Sequence, residues 1–250
     1  MLILLPPSET KAAGGDGPPL DLDRLSYPEL TRARKRTVAA VVRLGKRPQM
    51  AREVLGLGKG QRDEITRNAE LKHSPTMPAI ERYTGVLYDA LDAGSLRGAE
   101  RARAYERLAV GSALFGLVRA SDPIPAYRLS GSTRLPEFGG SLGAHWKPAL
   151  GSVLRSAGEV GLIVDLRSGM YQALAPAPGA VTVRVLNEAA DGSRSVVSHF
   201  NKSTKGLVAR VLATAEQPAA SLNDIVELLR ARDFEVELVS ATELDVILRG

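Results

Sequence analysis

Two glycines around one leucine, Gly56-Leu57-Gly58, set between two stretches of helical periodicity, constrain this chain more than any other feature. Lys46 to Leu55 and Gln61 to Leu71 read as short helices, and Gly56-Leu57-Gly58-Lys59-Gly60 leaves room for only a tight turn between them. In Leu55-Gly56-Leu57-Gly58 followed by Ile65, the apolar residues are spaced to pack the helices together, while each glycine admits backbone angles that a side chain opposes. The pattern is that of a helix-hairpin-helix turn. Its second helix begins with N–H groups that lack intrahelical partners, and these donors with the helix dipole make a seat for a phosphate oxygen. Lys59 and Arg62 add positive charge, so Leu55 to Gly60 and Arg62 form the candidate nucleic-acid-binding set. Such a contact reads phosphates and carries no base information.

The charge pattern agrees with a polyanionic partner. Lys plus Arg exceed Asp plus Glu by 33 to 28, a net charge of +5. Arg24, Arg32, Arg34, Lys35, Arg36, Arg43, Lys46, Arg47 and Arg52 fall in one stretch where Glu29 is the only acid, whereas Glu216 to Glu243 is acidic. A basic helix that docks an acidic protein partner, or a plain solvated helix face, gives the same pattern. The chain has no cysteine, which excludes disulfides and thiolate metal sites and fits a reducing cytoplasm. His73, His145 and His199 lie in different segments, so no metal is expected, and no cofactor fingerprint or Walker loop is present. Met1-Leu2-Ile3-Leu4-Leu5 stops at Pro6-Pro7, too short for a signal-peptide core or membrane span, and no membrane partner is expected.

Along the chain, Met1 to Leu5 reads as a buried strand and Ser8 to Pro28, rich in Gly and Pro, as an irregular segment. Glu29 to Leu44 reads as an amphipathic basic helix, and Pro75 and Pro78 end the helical run that follows. Helices are expected over Glu81 to Leu91, Glu100 to Val110, Lys205 to Ala215 and Asn223 to Arg232. Strands are expected over Leu162 to Leu166, Val181 to Leu186, Val196 to Phe200, Phe234 to Val239 and Leu244 to Leu248, with a hairpin turn at Asp191-Gly192. The fold class is therefore mixed α/β. The chain reads as one domain, 1–250, with a basic helical subdomain, 28–72, inserted near its front.

Several segments together resemble the YaaA family of bacterial peroxide stress proteins, whose members carry a helix-hairpin-helix. Met1 to Pro7 is similar to the family's apolar strand and Pro turn, and Thr84-Gly85-Val86-Leu87-Tyr88 to its Gly-Asp-Val-Tyr segment, with Val86 in place of the acid. The stretch Ser112 to Arg119, through Asp122 to Tyr127-Arg128-Leu129, is similar to the longest family motif. Asp165-Leu166-Arg167-Ser168-Gly169-Met170-Tyr171 resembles Asn-Leu-Ala-Ser-x-x-Tyr, and His199 to Gly206 with Arg210 resembles the Lys/Arg-Gly helix start. Ser240 and Arg249 fit the closing strand pair. The resemblance implies a cytoplasmic protein of the oxidative stress response that binds duplex or structured DNA and limits damage by peroxide and unincorporated iron.

The resemblance also draws together polar residues scattered at predicted strand ends and loops. Gly116, Tyr127, Arg128, Tyr171 and Lys205 become candidates for a pocket holding a nucleotide-like small molecule, with Tyr127 or Tyr171 stacking a base and Arg128 pairing with phosphate. Asp122, Ser168 and Lys202 are the candidate catalytic residues if the chain is instead an enzyme acting on a nucleotide or nucleic-acid base, with Asp165 as another candidate acid or base. Asp122 is equally a turn former before Pro123, and Lys202 and Lys205 equally a solvated helix end. Asp89 and Asp92, where a glycosylase of the hairpin class would place its carboxylate, read as solvated acids near a helix end.

Overall fold

The computed structural model describes residues 1–196 and 198–249, with only the backbone of residues 198 and 199. Strand β1 (Leu2–Leu5) is buried along its whole length, and the irregular segment after it contains only a short β2 (Gly17–Pro19) and single 3₁₀ turns. The basic stretch forms α1 (Thr31–Gly45), and the two short helices around the glycines are α2 (Pro48–Val54) and α3 (Arg62–Ala69). Pro75 and Pro78 bound β3 (Pro75–Pro78). The helix expected over Glu81 to Leu91 is two, α4 (Ala79–Arg82) and α5 (Val86–Leu91), because Gly85 between them takes a φ of 98°.

Helix α6 (Gly98–Arg107) runs directly into β4 (Leu108–Ser112), followed by β5 (Gly116–Arg119) and β6 (Pro123–Ile124). Periodicity extended that helix to Val110. The apolar run Leu108 to Val110 instead pairs with Ile3 to Leu5, since a strand buried on both faces has no alternation to betray it. The next element, α7 (Leu142–Val160), went unread because Pro148 interrupts its pattern, although Trp146, Leu150, Val153 and Leu154 form a buried stripe. Then come β7 (Ile163–Asp165), α8 (Gly169–Gln172), β8 (Val181–Glu188) and β9 (Arg194–Ser195), the last two joined by the Asp191-Gly192 turn with Gly192 at a φ of 80°.

The strand expected over Val196 to Phe200 is not formed. The ladder with β8 ends at Ser195, and the chain is already helical from Ser198 in α9 (Ser198–Thr214); Val197 lies outside the described residues. Helix α10 (Leu222–Arg230) starts on a capping box made by Ser221 and Asp224, and β10 (Glu235–Ser240) and β11 (Glu243–Arg249) close the chain.

The main sheet has the order β10-β11-β8-β7-β1-β4-β5, with β9 on β8, and a small second sheet joins β2, β3 and β6. Strands β11, β8, β7, β1 and β4 are mutually parallel, while β10 and β5 are antiparallel edges. From β1 the chain crosses to β4 on one side and returns through α7 to β7 on the other. Connections thus leave in opposite directions between β1 and β7, and the loops at their carboxyl ends diverge to open a crevice there.

Several cations of the basic stretch are not free. Arg34 is fully buried, with Nε donating to Phe115 O (3.0 Å) and Nη2 to Leu117 O (2.6 Å), which fixes α1 on β5. Lys35 pairs with Asp23 at 2.9 Å, and Arg43 pairs with Glu137, an acid remote in sequence. The charge run therefore overstates the solvated positive face of α1. Val38, Val41 and Leu44 of the same helix are buried in the core that also contains β1 and β4.

Candidate functional site

A cavity of about 1060 Å³ lies in the crevice between β1 and β7. Pro6, Pro7 and Ser8 leave the carboxyl end of β1 into its wall, and Asp165 to Ser168 leave the end of β7 into the opposite wall. The start of α5 adds Thr84 to Val86, the first turns of α9 add Asn201, Lys202 and Lys205, and the segment after β6 adds Arg128 to Ser130.

One wall rests on a buried ion pair. Arg167 is 2% exposed and reaches Asp165 with two prongs, Nε to Oδ1 at 2.9 Å and Nη2 to Oδ2 at 2.8 Å. Its Nη1 donates to Tyr171 O (3.2 Å) and its Nη2 also to Ala175 O (3.1 Å), so the guanidinium ties down the loop that carries Ser168 and Tyr171. Gly111 of β4 makes room for it: a Cβ there would stand 3.1 Å from Arg167 Cδ. Such a pair, forked and fully hydrogen-bonded, is the arrangement that lets two charges survive burial.

Besides Arg167 and Arg184, the cavity is lined by Arg128 from the segment after β6 and by Lys202 and Lys205 from α9. Arg128 is mostly covered and pairs at 2.8 Å with Glu9, whose carboxylate stands largely in solvent. Lys202 is exposed on α9. One turn further, Lys205 is half-buried, and no acceptor among the described residues lies within hydrogen-bond distance of its ammonium. Burial lowers its pKa, opposed by the nearby charge of Asp165. Behind this wall Lys11 donates to Ser8 O (2.9 Å) and lies over the Tyr127 ring, 4.2 Å from its centre. Burial first, and then the charge of Arg128, push Lys11 down to about 7. Lys11 and Arg167 were missed in the sequence, Lys11 because it sits in a segment read as irregular surface. The mostly polar run Ser8 to Ala13 carries no signal of its buried lysine.

The structure brings Arg128, Ser168, Tyr171, Lys202 and Lys205 to this one cavity. It does not bring Gly116, Asp122 or Tyr127 there. Gly116, at a φ of 74°, turns β4 into β5 against Trp146, whose ring a Cβ would meet at 2.7 Å. Asp122 is buried and accepts from Ser26 N and Oγ (3.1 and 2.7 Å) and Arg119 N (2.9 Å), the role of a loop-fixing turn residue. Tyr127 is sealed in the core, its hydroxyl 2.8 Å from that of Tyr83 and 2.7 Å from that of Ser112, which leaves no face for a base. Tyr171 lines the cavity, its hydroxyl accepting from Gly131 N at 3.2 Å. Ser168 precedes α8 without capping it through its side chain. Asp89 and Asp92 stay on α5 and its C-terminal cap, outside the cavity.

At the α2–α3 turn, Leu57 is buried between the helices while Gly56, Gly58, Lys59, Gly60 and Arg62 are exposed. The two glycines differ: Gly56 takes a φ of 62°, whereas Gly58 does not use the left-handed region, and a Cβ there meets only Gln61 Oε1 at 3.6 Å. Gly58 is thus not required by backbone angle. Its N–H is occupied by Gln61 Oε1 at 2.9 Å, but the N–H groups of Lys59, Gly60, Arg62 and Asp63 have no acceptor among the described residues. Leu55 caps α2, its N–H donating to Ala51 O. The turn is linked to the cavity. Asn68 on α3 donates to Arg128 O (2.7 Å) and accepts from Arg128 N (2.9 Å).

Among the described residues no helix is long and apolar enough to cross a membrane, and no group of three or more His, Cys, Asp or Glu residues is placed to hold a metal ion. A family model described as peroxide stress protein YaaA matches residues 1–237. The chain is 50% identical over 241 residues to a UPF0246 protein of Corynebacterium efficiens, with 95% of each chain covered. It is 50% identical over 240 residues to a UPF0246 protein of Corynebacterium glutamicum, again with 95% of each covered. It is also 48% identical over 244 residues to a UPF0246 protein of Streptomyces coelicolor, covering 95% of this chain and 92% of the relative. The chain belongs to the YaaA family of peroxide stress proteins.

Proposed function

We propose that this peroxide stress protein acts in the cytoplasm by binding DNA, gripping backbone phosphate at the α2–α3 turn, and that it thereby limits peroxide- and iron-dependent damage. The observation that carries the reading is the set of N–H groups at Lys59, Gly60, Arg62 and Asp63 with no acceptor among the described residues, flanked by the exposed cations Lys59 and Arg62. Leu57, buried between the helices, holds that set outward. Asp63 opposes the anion from the same turn, so the contact is a modest one that gains from Arg52, whose Nε donates to Leu57 O at 3.3 Å. Gln61 must release the Gly58 N–H for it to contribute, an exchange of one hydrogen bond for another.

The reading predicts binding to random-sequence duplexes at low salt with little base preference, measured by fluorescence anisotropy. Gly58→Val lays a branched side chain across the approach to the free N–H groups without demanding a new backbone angle. It should weaken duplex binding at least tenfold while the circular dichroism spectrum and thermal midpoint hold. No binding by the parent at micromolar protein, or an unchanged curve for the folded variant, sinks the reading.

A further inference from the structure

The cavity between β1 and β7 is too large for a lone anion: at about 1060 Å³ it reaches the upper end of small-molecule sites, roughly 300–1000 Å³. Its charges select the sign of an occupant. Of its acids, Asp165 is saturated by Arg167, and Glu243 is paired with Arg184 at 2.9 Å. Lys202 and Lys205 have no ion-pair partner among the described residues, and Arg128 is held only by the solvated Glu9, a pair an incoming anion readily displaces. Arg128 offers the planar fork that matches phosphate. Beside these cations Pro6, Pro7, Val86, Met170 and the Tyr171 ring give an apolar wall suited to a flat ring system. A crevice at the carboxyl ends of parallel strands, where the connections diverge, is where an open α/β sheet receives such ligands.

The hairpin adds a second relation. Helix α3 begins in the turn proposed to hold phosphate and, six residues on, grips the Arg128 main chain through both polar atoms of the Asn68 amide. Six helical residues rise roughly 9 Å. That spans only two or three nucleotides of a duplex rising about 3.4 Å per step.

We propose that the cavity receives one nucleoside monophosphate unit, its phosphate between Arg128 and the two lysines of α9 and its base against the Pro6, Pro7 and Met170 wall. The unit has two sources, a free mononucleotide or a nucleotide turned out of a strand held at the α2–α3 turn. The second source rests on the DNA-binding reading, and the first does not.

Calorimetric titration with the four ribonucleoside and four deoxyribonucleoside monophosphates, each against inorganic phosphate, tests the free source. A duplex carrying 2-aminopurine, which brightens when unstacked, tests the strand source. In either arm Lys205→Met should weaken the signal at least tenfold, and Lys202→Ala, at an exposed position, about threefold, so a folding failure of the first leaves the second to decide. Titration with free monophosphates should be unmoved by a Lys59→Ala, Arg62→Ala double variant at the turn, outside the cavity lining, whereas duplex anisotropy should fall, which separates the cavity from the hairpin. A duplex that binds with no brightening, together with no heat from any monophosphate at millimolar concentration, overturns the proposal and leaves the DNA-binding reading standing. Inorganic phosphate binding as tightly as every nucleotide overturns it as well, because the apolar wall then contributes nothing. Nucleotide heat without duplex binding supports the cavity and refutes the hairpin.

Discussion

The α2–α3 turn and the buried wall of the β1–β7 cavity hold their charges in opposite ways. Lys59 and Arg62 stand in solvent without an ion-pair partner among the described residues, whereas Asp165 and Arg167 are buried against each other and Lys11 sits over two tyrosine rings. The difference separates charge that is free to meet a ligand from charge on which the fold itself depends. Removing the first kind should change binding and leave stability within about 0.5 kcal/mol. Removing the second kind should do the reverse.

The largest effect belongs to the buried pair. Asp165→Ala leaves the Arg167 guanidinium enclosed without its counter-charge, and a loss of about 3–5 kcal/mol is expected from urea denaturation. A loss below about 1 kcal/mol would mean that the cavity wall does not depend on this pair and would blur the contrast with the turn.

Lys11 sharpens the comparison through pH. Its pKa is about 7 in the folded chain against 10.5 for an ordinary lysine, so between those values the unfolded chain binds a proton that the folded chain does not. Stability therefore rises with pH across that window, and below pH 7, where both states are charged, the cost of burying the ammonium is fully present. Relative to the parent, Lys11→Met should be most favoured at pH 6, with the advantage shrinking steadily toward pH 10. Thermal midpoints of the two proteins at pH 6, 8 and 10 check this, and a difference independent of pH contradicts it.

The smallest effect is at the turn. Asp63 lies in the first turn of α3 beside the free N–H groups, so Asp63→Asn should tighten duplex binding about twofold without a change in fold. Weaker binding would show that the carboxylate orders the turn rather than opposing the phosphate.

These regions also differ in how far they were legible. The turn is local: Leu55, Leu57 and Ile65 carry their pattern within eleven residues, and the helices lie where the spacing placed them. Only the assignment of a special backbone angle to Gly58 failed, because Gly56 alone takes it. The cavity is assembled by topology. Leu108 to Val110 gave no strand signal, being buried on both faces, and α7 was hidden by Pro148, so the return from β4 to β7 that opens the crevice left no local trace. Family resemblance gathered Arg128, Ser168, Tyr171, Lys202 and Lys205, which line one cavity, yet it also gathered Gly116, Asp122 and Tyr127, whose tasks are a tight turn, a loop anchor and a buried hydroxyl network. Burial is what separates the two groups, and it depends on contacts remote in sequence, such as Asp122 with Ser26.

The most direct measurement of the central claim, that the turn binds phosphate, is the salt dependence of duplex affinity for the parent and for a Lys59→Ala, Arg62→Ala double variant. Each lost phosphate contact removes about 0.9 from the slope of log affinity against log salt, so the slope should become shallower by roughly 1.8. Equal slopes for the two proteins would show that neither cation meets a phosphate and would contradict the account.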